Sequence, residues 1–241
     1  MNLLLPRFVL AAALGLVQLD SHAEEASVPL ASGGSLSFER YVSSGSRILL
    51  WFASERGFAP DEQLAAQQLA GRGMEVWQVD LVNARFLPQI PSSLDGIPQT
   101  DMTSLINSAR ATGKSLAVYA TARAAVPVLK GLGNQHACVL LMHPNLYTQS
   151  EALAEADYLP FENLGHLDVL VLQPTRSAAA PWVNNQLAAL KAGSANVRLH
   201  MLEKLREGFW HREDATTFES AQGQRLADLI IQWMGDAQCQ D

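Results

Sequence analysis

Short, almost wholly apolar runs recur along this chain from about residue 47 onward, each followed by a stretch of helical character. The runs are "RILLWFAS", "MEVWQVDL", "SLAVYAT", "HACVLLMHP", "LDVLVLQPT" and "NVRLHMLE". Between and after them stand "PDEQLAAQQLAGRG", "DMTSLINSARATGK", "ARAAVPVLKGL", "PWVNNQLAALKAG" and "FESAQGQRLADLIIQWMGD", with a looser helical stretch around "QSEALAEADYL". A strand that is apolar on both sides needs cover on both sides, and strand–helix alternation supplies it as a parallel sheet with helices on either face. Ahead of the series, "SLSFERYVS" alternates apolar and polar, as a half-buried strand does. No Pro-, Gly- or Ser-rich linker divides the chain. The pattern predicts one doubly wound, mostly parallel α/β domain over residues 24–241. Ligands of such sheets bind at the carboxyl ends of the strands, which singles out the loops after Phe52, Thr121, Gln173 and Glu203.

At 241 residues the chain can bury a sizeable core. Its formal net charge of −7, with no basic stripe, argues against nucleic acid and anionic membranes as partners. There is no G-x-G-x-x-G and no G-x-x-x-x-G-K-[ST], so nucleotide cofactors have no fingerprint here. No H-E-x-x-H and no Cys/His cluster points to a metal. No cofactor is expected, and the partner expected is a small-molecule or protein ligand in the cleft.

The first residues read separately. "MNLLLPRFVLAAALGLVQLDSHAEEA" carries Arg7, an apolar run from Phe8 to Val17 and the small-residue end Ser21-His22-Ala23, the layout of a cleaved export signal. A bilayer span takes about 20 apolar residues, so a mature protein beginning at Glu24 in the periplasm is the expectation, with a retained anchor as the alternative. In that oxidising compartment the two cysteines, Cys138 and Cys239, leave two readings open. They form a bridge, or Cys138 is a small buried hydrophobe and Cys239 a free thiol.

The order of elements resembles the α/β-hydrolase superfamily over nearly the whole mature chain. "RILLWFASERGF" resembles the strand and loop that give one oxyanion-hole amide, and "GMEVWQVDLVNARF", with Asp80, the strand after it. "GKSLAVYATARAAV" falls at the nucleophile elbow, "VLVLQPTRSAAAPW" at the acid and "REGFWHRED" at the histidine, in the family's own chain order. The resemblance implies a minimal member with no lid domain.

Aligned as Tyr119-Ala120-Thr121-Ala122-Arg123, the elbow offers Thr121 as nucleophile, with Arg123 near the developing oxyanion and both glycine positions substituted. The resemblance puts Ser177 in the acid's place; Asp157 and Glu162, after the preceding strand, are substitute carboxylates. It gives the general base to His211. Backbone N–H groups of Ala122 and of Ser54 or Glu55 would form the oxyanion hole. Trp182 and Trp210 could wall an apolar pocket or cover the edge of the sheet. Two functions follow: an acyl-ester or amide hydrolase working through Thr121 and His211, or a protein that uses the same cleft for binding. The lost glycines, serine and aspartate favour the second.

Overall fold

The computed structural model describes residues 23–148 and 156–237. Its centre is an eight-stranded sheet in the order β1-β2-β4-β3-β5-β6-β7-β8. The strands are β1 (Ala23–Pro29), β2 (Ser35–Tyr41), β3 (Arg47–Phe52), β4 (Met74–Val79), β5 (Ser115–Thr121), β6 (Ala137–Met142), β7 (Leu167–Pro174) and β8 (Asn196–Leu202). β2 runs antiparallel to both of its neighbours, and the pairs from β4 through β8 are parallel.

The continuous apolar runs become the inner strands because both of their faces are covered. Ile48, Leu50, Phe52, Val118, Val139 and Val171 point to one side, against α3 (Gln99–Arg110), α4 (Ala125–Leu132) and α5 (Val183–Ala192). Leu49, Trp51, Tyr119, Leu140 and Leu172 point to the other, against α1 (Pro60–Gly71) and α7 (Leu226–Asp236). Trp51 and Trp233 are among the largest side chains fully buried there; a buried large apolar side chain is worth about 1.5–3 kcal/mol. Gly131 lets α4 approach α3, since a Cβ in its place would lie 2.4 Å from the Met102 Cβ. Two short helices, α2 (Leu81–Ala84) and α6 (Thr217–Gly223), complete the set.

Three features depart from the sequence reading. The polar stretch Ala23–Pro29 forms an edge strand, pairing with β2 along its whole length. The closing helix is broken into α6 and α7: Gly223 packs on the Trp210 backbone, where a Cβ would meet the Trp210 Cα at 3.0 Å, and the chain leaves helical geometry at Arg225. Cys138 is half-buried, not enclosed; that it is disulfide-bonded is the first of the two readings left open for it. The sequence holds one other cysteine, Cys239, which lies outside the described residues. So do the export segment, residues 1–22, and most of "QSEALAEADYL". Among the described residues no helix is long and apolar enough to cross a membrane.

Candidate functional site

The loops that follow β3, β5, β6 and β8 converge at the carboxyl edge of the sheet around a cleft of about 610 Å³. β5 enters it as regular strand through Thr121, which pairs with Met142 and keeps extended angles, φ −105° and ψ 135°. The next residue, Ala122, takes φ 52°, and one 3-10 turn then leads into α4. The sharp turn therefore falls one residue later than the sequence alignment placed it. Its apex is Ala122, with the small residues Ala120 and Ala124, both fully buried, on either side. A left-handed alanine costs roughly 1–2 kcal/mol. It is held there in part by the Asn145 N–H, which donates to the Ala122 carbonyl at 3.1 Å.

Thr121 lines the cleft but is only 3% exposed. Strand alternation puts its side chain on the face of Tyr119, and its buried hydroxyl lies against the Tyr119 hydroxyl. Arg123 does not point to an oxyanion site. Its Nε pairs with Asp95 at 2.6 Å, and its Nη1 donates to the carbonyls of Asn145 and Tyr147. The β3 loop closes on itself, with the Gly57 and Arg56 N–H groups donating to the carbonyl and hydroxyl of Ser54. Asp80 caps α2 by accepting the Asn83 N–H at 2.9 Å.

At the acid position, the Ser177 hydroxyl donates to Glu207 and accepts from the Gln173 amide at 3.0 Å. The residue of the last loop that meets the acid position is thus Glu207, four residues ahead of His211. His211 lines the outer cleft beside Trp210. Partial burial lowers its pKa, and the charges of Arg56 and Arg212 act the same way. Asp157 and Glu162 are exposed, and neither is among the cleft's lining residues. Trp210 is buried and walls the cleft, whereas Trp182 is 56% exposed and stands outside it.

Sequence reasoning missed three residues of this site. His143 follows β6 with φ 35° and packs its ring against Trp210. Burial depresses its pKa, with the nearby Glu207 charge opposing. Glu62, at the start of α1, is 4% exposed and accepts the Ala59 N–H at 2.9 Å. Burial raises its pKa to about 7. Glu207 is the third; its signal was its place next to Gly208 in the last loop. Among the described residues no three His, Cys, Asp or Glu side chains are grouped to hold a metal ion.

This strand order, with a left-handed elbow after the central parallel strand β5 and a cleft at the carboxyl edge, is the α/β-hydrolase fold, and the chain has it. A protein of Klebsiella pneumoniae described as a dienelactone hydrolase superimposes with a TM-score of 0.61 at 16% identity, covering 88% of this chain and 98% of the other. The apo form of esterase 2 from Thermogutta terrifontis gives 0.57 at 16% identity, over 88% of this chain and 95% of that one. No protein-family model and no curated protein matches the sequence.

Proposed function

We propose that this chain is an exported hydrolase-fold protein that binds a ligand in the cleft at the carboxyl edge, without ordinary serine-hydrolase turnover. The observation that carries the reading is the apex of the elbow. The residue lifted into the cleft by the left-handed turn is Ala122, and a methyl group cannot attack a carbonyl. Nucleophilic catalysis needs a hydroxyl or thiol there, a base within hydrogen-bond reach and a group that orients the base. Ser177, at the acid position, is bonded to Glu207, and that pair contains no imidazole to shuttle a proton. What the cleft does offer is recognition chemistry. Trp210, His143, His211 and Tyr147 give flat surfaces, while Arg56, Arg212 and Asn145 give donors. A small ligand or a protein side chain with polar and planar parts fits such a lining.

A threonine hydrolase using Thr121 and His211 is the second reading, favoured by the presence of both side chains in the lining of the cleft. It requires the Thr121 hydroxyl to turn out of the sheet face.

Hydrolysis of a short activated ester separates the two. The wild type is expected near the background rate, and a variant carrying Ala122→Ser, Glu207→His and Ser177→Asp is expected to gain turnover by rebuilding nucleophile, base and acid on the existing turn. Wild-type turnover at the rate of an ordinary esterase, abolished by Thr121→Ala and by His211→Ala, would overturn the binding reading.

A further inference from the structure

At the amino edge of the sheet, the end opposite the cleft, lies a hollow of about 330 Å³. It sits where β3, β5, β6 and β7 begin, with Met234 of α7 in its lining. The chain carries a net charge of −7, yet this hollow is lined by Arg47, Arg110, Lys114, His136 and His166 against one carboxylate, Asp168. Two of these charges are already spent. The Lys114 Nζ donates to Glu75 at 2.6 Å and to the Ser43 carbonyl, and Asp168 accepts the Asn196 amide at 2.6 Å.

Arg47 and Arg110 are different. Both are half-buried, and among the described residues neither guanidinium has an ion-pair partner. Arg110, which closes α3, is fixed by one bond, its Nη2 donating to the His136 carbonyl. Its Nη1 has no hydrogen bond among the described residues and, unlike its Nε, is not enclosed. Arg47 makes no side-chain hydrogen bond among the described residues, and none of its nitrogens is enclosed. Two guanidinium groups thus offer reachable, unspent N–H donors to one hollow. Like charges gathered in a half-buried place repel one another unless an anion balances them. The planar fork of a guanidinium matches the oxygens of a phosphoryl group. The histidine pair is a feature independent of the arginines. His136 and His166 are exposed, their rings lie 4.3 Å apart, and among the described residues neither is paired with a carboxylate. Imidazole N–H groups there are further donors for oxygens.

We propose that this hollow binds a phosphoryl group, free or in a small monoester, through the N–H donors of Arg47 and Arg110, with the histidine pair beside it. The proposal is independent of what the cleft does.

Isothermal titration of the purified protein in phosphate-free buffer tests it, with inorganic phosphate and glycerol 3-phosphate as probes. One saturable site is expected, weakened by sodium chloride and absent with glycerol. Equal affinity for the two probes would assign the site to free phosphate, and tighter binding of the ester would assign it to monoesters. Arg47→Met should weaken binding at least tenfold, the scale of a charge-assisted hydrogen bond. It should leave the Tm in place, because Arg47 has no partner within the protein to lose. Arg110→Gln should weaken binding as well, and Arg47→Met keeps the test decisive if loss of the bond to the His136 carbonyl disturbs the fold. Arg176→Gln, the same loss of charge at the carboxyl edge, should leave binding unaltered. Absence of saturable binding, unchanged binding by Arg47→Met, or equal weakening by Arg176→Gln would overturn the proposal. A hexaglutamate peptide binding more tightly than either probe would overturn it as well, by making the occupant an acidic protein segment.

Discussion

Arg123, in one wall of the cleft, commits its guanidinium to Asp95 and to the carbonyls of Asn145 and Tyr147. Arg206, behind the opposite wall, pairs with the fully buried Glu219 and with Asp214. In the floor between them, Glu62 is held by a single backbone N–H with the Trp210 indole beside it. The hydroxyls of Tyr119 and Thr121 lie buried there against each other, with no other partner among the described residues. The walls are clamped and the floor is left electrostatically unbalanced. The difference teaches where this fold keeps its geometry and where its surroundings can act on it: the walls fix the loops, and the floor responds to protons.

Breaking a wall should have the largest effect. Glu219→Ala leaves Arg206 without its buried partner and the Thr216 cap of α6 without its reciprocal acceptor. Loss of one member of such a pair should lower the Tm by about 10 °C in a scanning calorimeter. Arg123→Met should lower it by about 6 °C, because two loop carbonyls lose their donor while Asp95 remains partly solvated. Glu62→Gln should change the sign. With its folded pKa raised to about 7, Glu62 binds a proton in the native state that it would release unfolded. Its carboxylate thus destabilises progressively as pH rises from about 4.5 through about 7. The glutamine variant should match the wild type near about pH 4 and exceed it by about 3 kcal/mol near about pH 8. Thr121→Val is the smallest change expected. It keeps the shape of a strand residue and removes a buried hydroxyl whose neighbour is the Tyr119 hydroxyl, so stability should change by no more than about 1 kcal/mol. A marked loss would show that the Thr121 hydroxyl is fixed as firmly as the wall arginines and would undo the contrast between floor and wall.

The sheet was legible in the sequence because its inner strands carry apolar residues on both faces, a signal that Leu49, Leu50, Trp51 and Phe52 give without ambiguity. The edge strand β1 was not, since its residues are mostly exposed and only Val28 is fully buried. At the elbow, a pattern search seeks a hydroxyl and so lands on Thr121. What fixes the turn instead is the ladder, which carries β5 through the Thr121–Met142 pair and leaves Ala122 to take the left-handed backbone. The last loop misled in a similar way. His211 is the chemically expressive residue, yet Glu207 is the one that reaches Ser177, and loop curvature is not written in residue types. His136 and His166 lie 30 residues apart in the sequence, but each precedes one of two neighbouring parallel strands, which brings their rings to 4.3 Å.

The central claim is that the apex of this elbow is Ala122 and carries no nucleophile. Treatment with a fluorophosphonate, followed by intact-mass and peptide analysis, tests it most directly, because the reagent bonds to an activated hydroxyl at an elbow. The account predicts that the wild type stays unlabelled and that the variant with Ala122→Ser, Glu207→His and Ser177→Asp takes up one equivalent at position 122. One equivalent on Thr121 of the wild type would contradict it.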